Sequence, residues 1–400
     1  SSNFAGVSAT LTHENSLSIN NNETQLATQT KESNLNINNS TFTDNNITSK
    51  VNNKRDPRKL WNNIPTSPDI RFKKPDEDKF SIDLIEDHLK IFGASKRGRS
   101  HAHIGSPRDD DFAIIRTDNE NWNVMIVADG AGSAKYSREG SRIACDYIKN
   151  GLNRELSNSE SPLNTCISQI IKKPTEIDTA KLKKIKLLAY SQLVPTIQSS
   201  IPKIEETVKS CNEVQAELKD FATTLLLLIS KKIGNKYLFL SFSIGDGAIV
   251  IFDQKEIISN DTPIVKDGKS QYLYKSLLMN NPDSGEFAGQ TRFLTMKSIF
   301  KNGNELINRI SIHIVESFTA AMIMTDGVSD AKFETEQQLT IKENWDQFWN
   351  DLTRTGSDDS QPLNLDSNAE ELSTQLLSWL DYWVIGNHDD RTIVVMYKYE

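Results

Sequence analysis

Three times along this chain a strand-like run ends in Asp-Gly: VMIVADG at Asp129–Gly130, LSFSIGDG at Asp246–Gly247 and MIMTDG at Asp326–Gly327. One such dipeptide is ordinarily a tight turn, because both residues tolerate the backbone angles a turn requires. Three of them constrain the fold much more. The runs before Asp129 and Asp326 are apolar stretches typical of buried strands. A carboxylate at the end of a buried strand needs compensation, which a cation supplies. The glycine that follows lets a backbone carbonyl approach the same cation.

Other runs extend the β pattern. FAIIRT from Phe112, TTLLLLI from Thr223, YLFLSFSI from Tyr237, AIVIFD from Ala248 and TIVVMY from Thr392 read as strands. Helices are expected over 137–151, over 179–218 with breaks near Pro195 and Pro202, and over 367–383. The last opens with the capping box Ser367-x-x-Glu370 and carries Leu372, Leu376, Leu377, Leu380 and Trp383 on one side. Strands outnumber helices and several follow one another directly, which favours an α+β sandwich over a doubly wound sheet.

Only part of the chain looks globular. Residues 1–55 are rich in Asn, Ser and Thr and too poor in aliphatic side chains to offset their chain entropy, so they read as disordered. Residues 56–92 read as a linker or docking segment, and the ordered domain is expected over 93–400. The net charge is -8 and no basic stripe appears, which argues against a nucleic-acid partner. Cys145, Cys166 and Cys211 are scattered and odd in number, favouring a reducing, cytoplasmic setting over structural zinc. No apolar run reaches the roughly 20 residues that span a bilayer, so no membrane association is expected.

Two further acidic clusters flank strands. Arg108-Asp109-Asp110-Asp111 precedes FAII, and Asp389-Asp390 precedes RTIVVMY. Either alone is ordinarily a solvated loop. Together with the Asp-Gly ends, five segments bring carboxylates to one rim of a sandwich. An all-oxygen donor set without Cys or a His cluster points to Mg²⁺ or Mn²⁺ rather than zinc. Two such ions sharing a carboxylate activate water and clamp a phosphoryl oxygen, so the composition itself suggests phosphate-ester hydrolysis.

The pieces DDDF, VADGAGS, FATTLLLLI, SIGDGAIV, MTDGVSD and HDDRTIVV stand in an order that resembles the metal-dependent type 2C (PPM) protein serine/threonine phosphatases. The likeness covers roughly residues 93–400, and RGRSHAHIGSPRDDDF looks most like a divergent bacterial branch. It implies a four-layer α-β-β-α sandwich with two central antiparallel sheets, and hydrolysis of phosphoserine or phosphothreonine. It implies that Asp129 bridges two ions, that the Gly130 carbonyl binds one, and that Asp326 and Asp389 complete the other. Asp110 and Asp111 would hold waters on the ions, and Asp246 with Asp326 would form a weaker third metal site. Thr392 would support the last aspartate, and 253–320 would hold a variable flap. The implied partner is a phosphoprotein that a serine/threonine kinase has modified.

The chain departs from the family pattern in three places. Ser106 stands where many members carry a phosphate-binding arginine, leaving Arg108, Arg99 or Arg97 as replacements. Ala131 stands where eukaryotic members have a histidine, so His101 or His103 is the candidate to take its place. Asp390 replaces the usual asparagine, adding charge. Two other readings stay open: a pseudophosphatase that binds phosphopeptides as a scaffold, and a different dinuclear hydrolase such as a nuclease.

Overall fold

The structure is a computed structural model that describes residues 56–172, 177–211, 215–266, 269–281 and 291–400; side chains of 256–275 are left aside. Residues 1–55, expected to be disordered, lie outside the described residues.

Two antiparallel sheets form the centre. One runs β1 (Glu77–Leu84), β2 (Leu89–Lys96), β11 (Arg391–Lys398), β10 (Ala320–Met324), β7 (Ala248–Lys266), β8 (Lys269–Leu278). The other runs β3 (Asp111–Arg116), β4 (Asn123–Ala128), β5 (Leu225–Ile233), β6 (Lys236–Ile244), β9 (Ile310–Val315). A single pairing, Ser259 with Val315, links β7 to β9 and so joins the sheets along one edge.

Strand alternation builds three hydrophobic interfaces between the layers. In β4, Met125 and Val127 face the opposite sheet, where they meet Ile249, Ile251, Ile323 and Val394. Val124, Ile126 and Ala128 face outward onto helices α2 (Ser137–Leu156), α3 (Pro162–Lys172) and α4 (Thr179–Gln198). In β10, Ala321 and Ile323 point inward, while Met322 and Met324 point outward. That outer face is covered by α7 (Asp326–Lys332), α8 (Lys342–Asn350) and α9 (Ala369–Trp379), with Trp345, Trp349 and Trp379 fully buried. Both faces of the central strands are buried, which is why their sequences are continuously apolar. The result is the expected four-layer α-β-β-α sandwich.

Several local expectations shift. Gly93, taken as the start of the domain, sits mid-strand in β2 opposite Val394, and pairing begins at Glu77. β1 escapes a pattern reading because it is a mostly exposed edge strand whose alternation is confined to Phe80, Ile82 and Leu84. The break expected near Pro195 and Pro202 falls between them, at Ser199, where α4 gives way to α5 (Ser200–Ser210). Pro195 is accommodated inside α4, and Pro202 occupies the first turn of α5, where a missing N–H costs little. Helix α9 starts later than expected. Its N-cap is Asn368, whose side chain accepts from the Glu371 N–H at 2.9 Å, while Ser367 Oγ accepts from Gln375 instead. Asparagine caps as well as serine does, so the motif is displaced by one residue. The stretch expected to hold a flap contains the β7–β8 hairpin, α6 (Gly303–Asn308) and β9; 267–268 and 282–290 lie outside the described residues.

Candidate active site

The registers bring the relevant strand ends to one rim. Asp111 at the start of β3 pairs with Ala128 at the end of β4, and Met324 at the end of β10 pairs with both Ala248 and Ile393. Arg391 at the start of β11 pairs with Lys96 at the end of β2. Asp129, Asp246, Asp326, Asp389 and Asp390 therefore emerge from neighbouring loops. Two glycines let these loops close on each other. A Cβ on Gly130 would lie 2.6 Å from the Asp109 carbonyl oxygen, and one on Gly327 only 1.9 Å from that of Asp390.

Asp129 and Asp326 form the centre of the group. Burial, each other's charge and a hydrogen bond between their side chains push the Asp129 carboxyl well above its usual range. The Asp326 carboxyl is also raised, first by burial and then by Asp246 and Asp389. Asp326 Oδ1 is buried with no hydrogen-bond partner. Asp389, more open to solvent, is raised by desolvation and by Asp390. Asp129 is held through its backbone, its N–H donating to Thr224 Oγ1 at 2.9 Å and its carbonyl accepting from Thr224 N–H and Thr223 Oγ1. Its side chain is turned to the Asp326 carboxyl. Starved, mutually repelling carboxylates of this kind can hold a hard divalent cation.

Asp246 stands between Gly245 and Gly247, both in the left-handed region, and its Oδ2 accepts from Thr291 Oγ1 at 2.7 Å. Its charge raises Asp326 and also Asp330, a residue not singled out from sequence. Asp330 lies four residues after Asp326 on α7, and that spacing puts both on one helix face.

Asp110 and Asp111 part company. Asp110 is 1% exposed, and its Oδ2 accepts from Thr392 Oγ1 at 2.7 Å and Thr325 Oγ1 at 2.9 Å. Thr392 thus supports Asp110. Asp111 turns away to form an ion pair with Lys74 Nζ at 3.0 Å. Alternation explains this: Asp111 shares its side of β3 with Ala113, which faces the helices, whereas Phe112 and Ile114 face the other sheet. The second acidic residue at the rim is Asp109. Its carboxyl is raised to about 6 by burial and Asp390, and its Oδ1 is buried without a partner.

Arg108 also turns away. It is 1% exposed, its Nε donates to the Pro75 carbonyl at 3.1 Å, and it lines a cavity of about 310 Å³ with Lys74, Asp78 and Asp111. None of Asp129, Asp326 or Asp389 contributes to that wall. Arg97 and Arg99 are engaged elsewhere, with Asp76 and Asp381 respectively.

Asp390 is 3% exposed and fully used. Its Oδ1 accepts from Gly98 N–H at 2.6 Å and from His101 Nδ1 at 2.9 Å, and its Oδ2 accepts from Asp109 N–H at 2.5 Å. Burial opposes its charge, but these donors outweigh it and hold the carboxyl below its usual range. Burial likewise opposes the charge of His101, yet Asp390, Asp109 and Asp389 outweigh it and raise the imidazole to about 9. Single donor atoms of His101, Asp389 and Asp390 lie within 4.8 Å of one another. Because His101 and Asp390 already satisfy each other while Asp389 spends only Oδ1, on the Asp390 N–H at 2.8 Å, Asp389 is the member of this trio with an oxygen left for a cation.

The family model described as Protein phosphatase 2C matches residues 97–381. No curated protein matches the chain. Among solved structures, a bacterial serine phosphatase is 10% identical, covering 78% of this chain and 97% of its own, with a TM-score of 0.40. The serine/threonine phosphatase Stp1 from Staphylococcus aureus is 8% identical over 83% of this chain and 98% of its own, TM-score 0.39. The Mycobacterium tuberculosis serine/threonine phosphatase PstP/Ppp is 14% identical over 78% and 99%, TM-score 0.37. Likenesses this distant carry no weight for function, whereas the family match spans well over half of the 400 residues. The chain belongs to the protein phosphatase 2C family and is a phosphoprotein phosphatase by that membership.

Proposed function

We propose that this chain hydrolyses phosphoserine and phosphothreonine in proteins phosphorylated by a serine/threonine kinase, and that it requires Mn²⁺ or Mg²⁺. The observation that carries this reading is the group Asp129, Asp326 and Asp389, whose carboxyls are all raised and whose Asp326 Oδ1 lacks a partner. Asp129, the Gly130 carbonyl, Asp326 and Asp389 would hold two ions, and Asp246 with Asp326 and Asp330 a third. When bound, such ions lower the pKa of water so that it attacks near neutral pH, and they neutralise phosphoryl charge. Asp110, clamped by Thr325 and Thr392, presents its remaining carboxylate oxygen at a fixed angle. Asp109 takes the role expected of Asp111. His101 keeps its proton beside Asp390 and orients that carboxylate, and Arg108 has no part in binding phosphate.

Among the described residues no helix is long and apolar enough to cross a membrane. The three cysteines are free and buried, which fits a reducing, cytoplasmic compartment. The test is turnover of p-nitrophenyl phosphate and of a phosphoserine peptide. Activity is expected with Mn²⁺ and not in excess EDTA. Full turnover after removal of metal would overturn the reading. Binding of the phosphopeptide without turnover at saturating Mn²⁺ would favour the scaffold reading instead.

A further inference from the structure

Residues 56–76 precede both the sheet and the stretch matched by the family model. They nevertheless touch the carboxylate rim at both ends. Near the start, the Trp61 ring lies 4.3 Å from His388 and 5.3 Å from His103, centroid to centroid. Trp383 packs on His388 as well, at 4.7 Å, so two indoles hold the residue that immediately precedes Asp389. Asn62 N–H donates to His103 Nδ1 at 3.0 Å, and Ile64 N–H donates to the Ala102 carbonyl at 2.8 Å. In the middle, the buried Arg97 guanidinium donates to Thr66 Oγ1, Asp76 Oδ2 and the Ile64 carbonyl, tying the segment to the end of β2. At the far end Lys74, 6% exposed, spends its ammonium on the start of β3 and on helix α2. Nζ donates to the Asp110 carbonyl at 2.6 Å, the Ser141 hydroxyl at 3.1 Å and the Arg138 carbonyl at 3.2 Å, and pairs with Asp111 at 3.0 Å.

A buried lysine is costly unless its charge and all its donors are used. Here they join the start of β3 to helix α2, beside Asp109 and Asp110. We infer that residues 56–76 brace the metal site, with Trp61 positioning the Asp389 loop and Lys74 positioning Asp109 and Asp110. The inference rests on the metal-site reading above. Trp61 and Lys74 are positioning residues that touch no reacting atom. Partners that orient metal ligands are commonly worth about 10–100-fold in metal affinity or activity.

The experiment is calorimetric titration of the full chain with Mn²⁺, with melting in EDTA measured alongside. Trp61→Ala is expected to weaken Mn²⁺ binding about tenfold while its EDTA melting temperature stays close to that of the unaltered chain. Trp61→Phe, which keeps a ring against His388, is expected to stay within about twofold. Lys74→Met is expected to weaken binding at least as much as Trp61→Ala, with a lower melting temperature. A Trp61→Ala protein that binds Mn²⁺ as tightly as the unaltered chain overturns the brace, whatever Lys74→Met does. An equal loss in Trp61→Phe overturns the stacking argument. An unaltered chain that binds no Mn²⁺ fails the metal-site reading itself and takes the brace with it, so the two failures are distinguishable.

Discussion

Asp390 and Asp326 are both aspartates at strand ends on the same rim, yet they sit in opposite electrostatic states. Asp390 receives two backbone N–H groups and the imidazole of His101 at hydrogen-bond distance, and its carboxyl is lowered. Asp326 has one oxygen buried with no partner, faces Asp246 and Asp389, and its carboxyl is raised. A carboxylate supplied with donors stabilises the fold as it stands. One starved of donors and crowded by like charge is destabilising until a cation arrives. The rim thus contains two populations of the same residue type. The first, Asp390, builds the loops; Asp110, clamped by two threonine hydroxyls yet raised by burial and then by Asp390, stands between the two. The second, Asp129, Asp326 and Asp389, is what those loops hold in place.

The sharpest break of this comparison is Asp129→Asn. Turnover is expected to fall by at least about a hundredfold, the scale of losing one preorganised stabiliser of the transition state. Stability in EDTA is expected to hold or rise, because the substitution removes one of the mutually repelling charges. Phosphatase rate and melting temperature, each measured in EDTA and in Mn²⁺, check both halves. A mutant that retains most of its rate at saturating Mn²⁺ would place Asp129 among the builders.

Asp390→Ala is expected to do the reverse. It leaves the N–H groups of Gly98 and Asp109 without their acceptor and strips the counterion from His101. Removing one partner of a buried, hydrogen-bonded ion pair costs about 3–5 kcal/mol. The loss should appear equally in EDTA and in Mn²⁺, as a lower midpoint in urea. If the loss appeared only with metal present, Asp390 would be a ligand and the division drawn above would fail.

The strands of this division were legible in the sequence because buried central strands are continuously apolar and their Asp-Gly ends stand out. The edge strand β1 was not, since its residues are mostly exposed and its alternation, Phe80, Ile82 and Leu84, is short. At the site, Asp129, Asp326 and Asp389 were picked out by chain order alone, and their carboxyls interact with one another in the fold. The choice between Asp109 and Asp111 needed the residue at which β3 starts, which three consecutive aspartates do not reveal. Lys74 was invisible for a different reason. Its importance comes from contacts with Asp110, Arg138 and Ser141, far along the chain, and no local pattern marks it. Arg108 was singled out because an arginine beside an acidic run resembles a phosphate ligand; its Nε donates to the Pro75 carbonyl.

The smallest expected effect is in the pH dependence of the metal-free protein, and it tests whether the rim carboxylates are compensated without metal. The Asp326 carboxyl is raised from 3.8 to about 7 and that of Asp109 to about 6. A carboxyl raised on folding contributes stability when protonated in both states, and that contribution is lost as pH climbs through the folded value. His101, raised from 6.5 to about 9, has the same sign, its contribution being full below 6.5 and fading toward 9. Asp390 has the opposite sign, but because its carboxyl is lowered its contribution is lost only as pH falls below 3.8. Between pH 5.5 and 8 the shifts of Asp109, Asp326 and His101 therefore act together: in EDTA the melting temperature should fall by a few degrees as pH rises. Saturating Mn²⁺ should flatten or reverse that slope, since a bound cation favours the deprotonated carboxylates and its binding releases their protons. A level profile in EDTA would mean that the rim carboxylates are already compensated within the folded chain, and the contrast between Asp326 and Asp390 would lose its physical basis.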